Sequence, residues 1–122
     1  MRRPYESLEV WQDAHRLNLD ICAATRRFPR EERYELTSQL RRAARSVPTN
    51  IVEGYDQFGV RSWLRFVRIA LGSLAEADYL LLNARDEGYL ARQDWMVLSD
   101  HAWRLRGKLL KLCRSLQEKA GE

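Results

Sequence analysis

Two carboxylates, an arginine and four hydrogen-bonding side chains recur at helical spacing: Gln39, Arg42, Ser46, Asn50 and Glu53 at intervals of three and four, then Ser73 and Glu76. At about 100° per residue the first five fall within about 80° of arc on one helix. Such a set can form an active or binding site. The same residues can equally form a hydrogen-bond network that fixes helix register. Glu76 lies beside Ile69 and Leu80 on its own helical wheel, so it is expected to be half buried and to need a partner, for which Arg42 is the best placed.

A second chemistry resides in the cations. Arg61, Arg65 and Arg68 stand at i, i+4 and i+7, and Arg104, Lys108 and Lys111 repeat the pattern later in the chain. Planar guanidinium forks suit phosphates and carboxylates. The six therefore form the candidate surface for weak, sequence-independent binding of RNA or DNA. Eighteen of the twenty-one basic residues are arginine, a ratio that phosphate recognition or GC-rich codon usage would each produce; the net charge is only +4.

Other chemistries lack their residues. There is no glycine-rich phosphate loop, no HExxH and no serine-nucleophile elbow. Paired Glu-x-x-His motifs for a di-iron bundle are absent. His101 is followed by Ala-Trp-Arg-Leu-Arg-Gly, which does not fit a phosphotransfer histidine, and His15 has no acid one turn away. Cys22 and Cys113 have neither CxxC spacing nor a nearby histidine, so two reduced thiols near the core are expected. No catalytic residue, metal or cofactor is implied.

The positioning elements are helical. One helix is expected over Ser7–Arg27, carrying Val10, Ala14, Leu17, Ile21, Ala24 and Phe28 and closed by Pro29. A second runs from Leu36 to Tyr55, because Leu36, Leu40, Ala43, Val47, Ile51 and Gly54 keep one stripe through Pro48. Pro48 should kink it and leave the Ala44 carbonyl to Ser46, Thr49 or water. After a turn over Tyr55–Val60, Ser62 is expected to cap a third helix that reaches Glu87 and ends on a left-handed Gly88, with Tyr89 packing back on Ala84. A fourth helix, about Arg92 to Lys119, carries a ladder of Leu98, Ala102, Leu105, Leu109, Leu112 and Leu116. Period-two alternation is absent, so the expected fold is all-α: one domain over residues 1–122, an antiparallel up-down four-helix bundle. The longest apolar runs, Tyr79–Leu82 among them, are far below the roughly 20 residues of a membrane span, and Met1-Arg2-Arg3-Pro4 does not lead into a secretory h-region; a cytoplasmic protein is expected. The apolar residues of the third helix sweep about 220° of arc, twice a core stripe, which points to an oligomer contact involving Leu64, Leu71 and Leu82.

Leu8-x-x-Trp11-x-x-Ala14, Phe28-Pro29-x-Glu31-Glu32-x-Tyr34, Leu36-x-x-Gln39-Leu40-x-Arg42-Ala43-Ala44-x-Ser46, Asn50-Ile51-Val52-Glu53-Gly54, Phe66-x-x-Ile69-Ala70-x-Gly72-Ser73-x-x-Glu76 and Gly88-Tyr89-Leu90 together closely resemble the 23S ribosomal RNA intervening-sequence protein family. The resemblance spans about Leu8 to Leu90; Glu35, Val52 and Asp56-Gln57 depart from the family's pattern. It implies a bacterial four-helix bundle that assembles as a homopentamer and has no established enzymatic activity. It also implies distant kinship with the accessory protein of diversity-generating retroelements, a basic pentamer that associates with nucleic acid and a reverse transcriptase. An accessory or scaffold role beside such an enzyme is the alternative to direct nucleic-acid contact.

Overall fold

Four amphipathic stripes, each too narrow to be buried alone, close on one another in a computed structural model that describes residues 1–56 and 59–122. The helices are α1 (Glu9–Thr25), α2 (Leu36–Asp56), α3 (Val60–Asp86) and α4 (Arg92–Ala120), and the described residues contain no strand. Each helix packs on the next and α4 returns to α1, so the bundle closes as a ring. Cross-helix contacts fix the alternation of direction. Arg27 near the end of α1 pairs with Asp94 at the start of α4 at 3.7 Å, and Lys108 late in α4 reaches Glu9 at the start of α1. Leu17, Ile21, Leu40, Val47, Ile51, Leu64, Val67, Leu81, Leu105 and Leu109 fill the centre.

Helix ends depart from expectation where local hydrogen bonds compete. Pro4–Ser7 forms a separate 3-10 turn, and α1 starts only at Glu9. Arg27 and Phe28 bond back three residues to Ala24 and Thr25, so α1 unwinds ahead of Pro29. Ser62 is not the cap of α3: Gly59 is, at φ 109°, a backbone conformation that favours glycine. Gln57 and Phe58 of the expected turn lie outside the described residues. At the other end of α3 the expectation holds. Gly88 has φ 83° and the Tyr89 N–H donates to the Ala84 carbonyl at 2.9 Å, a Schellman closure.

α2 runs through Pro48 without interruption. Neither expected side chain serves the Ala44 carbonyl. The Thr49 hydroxyl donates to the Arg45 carbonyl at 2.8 Å, and Ser46 is engaged elsewhere.

The charged connection between α1 and α2 is a structural tie. Arg30–Glu32 forms a 3-10 turn, and one Glu32 oxygen accepts the Leu36 N–H while the other accepts the Tyr89 hydroxyl at 3.0 Å. The hydrogen bond to that carboxylate raises the Tyr89 pKa above its ordinary value, since ionising the phenol would break the bond and leave two negative charges facing each other. Tyr89 also packs on the buried Phe28 ring at 6.0 Å.

α3 is less surplus than its wheel suggests. Leu64 is 1% exposed and belongs to the core, so it is unavailable for an oligomer contact; Leu71 and Leu82 are half-buried, and Ile69 is 40% exposed. The wide apolar arc is consumed largely by packing against both α2 and α4.

Candidate functional site

The polar stripe of α2 meets α3 across a cleft of about 360 Å³ lined by Gln39, Arg42, Ala43, Ser46, Ser73 and Glu76. At its floor the Ser46 and Ser73 hydroxyls share a hydrogen bond of 2.8 Å, and the Asn50 amide donates to the Ser46 hydroxyl at 2.9 Å and to the Ser46 carbonyl at 2.8 Å. Three of the seven candidate residues are thus bonded to one another. Gln39, Arg42 and Glu76 stand at the rim, all exposed.

Half-burial of Glu76 is overturned. No other helix covers the α2–α3 seam at this point, so the carboxylate remains in water, and among the described residues no ion pair joins it to Arg42. Glu53, also exposed, is not among the residues lining the cleft.

The six candidate cations divide. Arg68 donates to Glu122 at 2.9 Å, and that bond holds its pKa above the ordinary arginine value. Lys108 is held between Asp13 and Glu9, the latter at 2.8 Å, and these carboxylates, Asp13 foremost, raise its pKa. Arg61, Arg65, Arg104 and Lys111 are exposed and have no carboxylate within ion-pair distance among the described residues. The two stripes do not merge into one face. Arg68 looks toward the far end of α4, whereas Lys108 closes the α4–α1 seam, so they flank α4 on opposite sides.

Spacing alone missed two features. One is an apolar groove of about 290 Å³ between α3 and α4, lined by Leu74, Tyr79, Leu82, Trp95 and Trp103 among others. Tyr79 is 60% and Trp103 63% exposed there. Arg106 lies 4.8 Å above the Trp103 ring and Arg85 4.2 Å above that of Trp95. The other is a cluster of arginines around the start of α2, lining a cleft of about 480 Å³ with Tyr34 and Ser38. The signal was present as Arg33 with Arg41-Arg42-x-x-Arg45, but its cleft forms only when the α1–α2 connection folds against the helix.

The histidines carry no reactive arrangement. His15 stacks on Trp11 at 4.9 Å with an interplanar angle of 10°. Burial lowers the His101 pKa, opposed by nearby Asp13. Among the described residues no cluster of His, Cys, Asp and Glu is placed to hold a metal ion, and no helix is long and apolar enough to cross a membrane.

The sequence profile of the 23S rRNA-intervening sequence protein family matches residues 6–111, which take in all of α1, α2 and α3 and most of α4. The chain belongs to that family. No curated protein matches it. Among solved structures it is similar to a protein of unknown function from the S23 ribosomal protein family of Bacteroides thetaiotaomicron, with a TM-score of 0.77. The two share 16% identity, and the match covers 85% of this chain and 97% of that one. At that identity the likeness concerns the fold, which is the family's four-helix bundle.

Proposed function

We propose that this family member is a non-enzymatic, oligomeric bundle that binds RNA or DNA weakly through phosphates and without reading bases. The observation that carries this reading is the availability of Arg61, Arg65, Arg104 and Lys111, exposed on α3 and α4 with no carboxylate paired to them among the described residues. Four cations per chain bind feebly; repetition around an assembly of copies lets several phosphates be engaged together. The α3–α4 groove, with Tyr79 and Trp103 open to solvent, supports such an assembly, since apolar surface of this kind is characteristic of protein contacts. A homopentamer is the state the family resemblance favours. The same groove also favours the second reading, a scaffold that recruits a protein such as a reverse transcriptase and has no nucleic-acid contact of its own.

Fluorescence anisotropy with duplex DNA and a structured RNA separates the two. Nucleic-acid binding predicts affinity that falls steeply with salt, with a log-log slope of about 0.9 per phosphate neutralised on duplex DNA. Replacing Arg61, Arg65, Arg104 and Lys111 by Ala should flatten that slope, whereas no binding at low salt refutes the reading. Light scattering tests the assembly, and a monomer mass at micromolar concentration refutes it.

A further inference from the structure

The α2 arginine cleft is chemically unlike the cation stripes, because it combines charge with an exposed aromatic ring. Tyr34 is 82% exposed, and the Arg33 guanidinium lies 5.4 Å from its ring centroid. A tyrosine left in water on a folded surface presents a flat apolar face at which another planar group can stack. Arg41, Arg42 and Arg45 follow within about one turn of α2 and line the same cleft, as does Ser38. No carboxylate lies within ion-pair distance of any of these four arginines among the described residues, although Glu31, Glu32 and Glu35 are near in sequence.

Arg41 is held in place from behind. Its Nε donates at 2.8 Å to the hydroxyl of the buried Thr25, which in turn donates to the Cys22 carbonyl at 2.8 Å. A guanidinium fixed through Nε keeps its two terminal nitrogens for an oxyanion and loses less freedom on binding one. Arg45 also borders a neighbouring hollow with Tyr5, Trp11 and His15, so the basic track passes from one aromatic surface to another.

An aromatic platform followed by unpaired guanidinium groups matches what a strand with unstacked bases requires; a duplex offers phosphates but no base face. We infer that the cleft of Arg33, Tyr34, Ser38, Arg41, Arg42 and Arg45 binds single-stranded nucleic acid, Tyr34 stacking one unpaired base while the arginines hold the flanking phosphates. This rests on the nucleic-acid reading above but places a strand-selective site on a different helix.

The test uses the full chain, a fluorescein-labelled oligouridylate and a duplex RNA of equal length, titrated at low salt against the wild type, Tyr34→Ala, Tyr34→Phe and Arg61→Ala/Arg65→Ala. Tyr34→Ala should weaken single-strand binding about tenfold, the worth of one stacked base, while leaving duplex affinity unchanged. Tyr34→Phe should retain most of the affinity, and Arg61→Ala/Arg65→Ala should reduce duplex binding more than single-strand binding. Because Tyr34 is exposed, its variants should melt with the wild type, which circular dichroism verifies. If Tyr34→Ala changes both ligands alike, or neither, the strand-selective site is refuted while the general reading stands. Should Tyr34→Ala alter the oligomer mass but not RNA affinity, the cleft is a contact between copies and the inference fails. Absence of binding by the wild type overturns both readings together.

Discussion

Gly54→Ala should destabilise the bundle although it replaces a poor helix former by the best one. Gly54 is buried on α2, against α3. A Cβ built there would stand 2.6 Å from Trp63 Cε3 and 2.8 Å from Phe66 Cβ. The Trp63 ring is packed edge-on against Tyr55, with centroids 5.9 Å apart. Phe66 Cβ is attached directly to the α3 backbone, so relief requires the two helices to part. Alanine gains about 1 kcal/mol of helix propensity over glycine. Overpacking a closed contact costs about 1–3 kcal/mol, and relief here needs backbone movement, which places the cost toward the upper end. The expected net effect is a loss of about 1–2 kcal/mol. Gly107 supplies the opposite case: it is exposed within α4, with no atom within 4 Å of a built Cβ. Gly107→Ala should therefore stabilise by about 0.5–1 kcal/mol. Urea titration followed by helical circular dichroism, at one protomer concentration, measures both changes as midpoint shifts at constant slope. If Gly54→Ala is as stable as Gly107→Ala, the close approach of α2 and α3 at this point is wrong.

Ser73→Ala should cost about 1 kcal/mol, because it strips the Ser46 hydroxyl of its 2.8 Å partner, while Glu76→Ala should change stability by less than about 0.5 kcal/mol. Equal losses in urea titration would show that Glu76 belongs to the network. Burial lowers the His101 pKa, so below the ordinary value of 6.5 the unfolded chain takes up the proton more readily than the folded one. The His101 contribution to stability is therefore present above that value and is lost as pH falls through and below it. Urea midpoints at about pH 7.5 and about pH 5.5 should differ less in His101→Gln than in the wild type, and identical differences would refute the assignment.

The helical architecture was legible because its signals are local. Stripes of Leu, Ile, Val and Ala at three and four set α2 through Pro48 and gave α4 its ladder, and the Gly88 stop was recognisable from glycine followed by an apolar residue. Caps were less legible: Ser62 has the preferred chemistry, but Gly59 takes the role through its positive φ. The wheel counts the apolar arc of α3 but does not say which neighbour covers each part, and Leu64, on that arc, belongs to the core rather than to an outer contact. The hydrogen bond of Ser46 with Ser73 follows from stripes facing each other, whereas the exposure of Arg42 and Glu76 depends on what lies above the seam. The Glu32 tie to Tyr89 joins residues far apart in sequence, and nothing in the local pattern of a charged connection announces it.

The same distinction governs the charges. Sequence spacing grouped Arg61 with Arg68, and Arg104 with Lys108, as equals, since each pair shares a helix face. The fold separates them by what approaches from the next helix. Glu122 occupies Arg68, and Glu9 and Asp13 occupy Lys108, so these two cations tie α4 to its neighbours and must release carboxylates before meeting a phosphate. Around the start of α2 the reverse occurs: Arg41 is anchored through the neutral Thr25 hydroxyl, which fixes its position without neutralising its charge. A cation positioned by a neutral hydrogen-bond acceptor has no carboxylate to displace when it meets an oxyanion, while one positioned by carboxylates must exchange one anionic partner for another. Formal charge along a helix therefore overstates the unpaired cationic surface of α3 and α4, whereas Arg41, Arg42 and Arg45 of α2 have no carboxylate partner among the described residues.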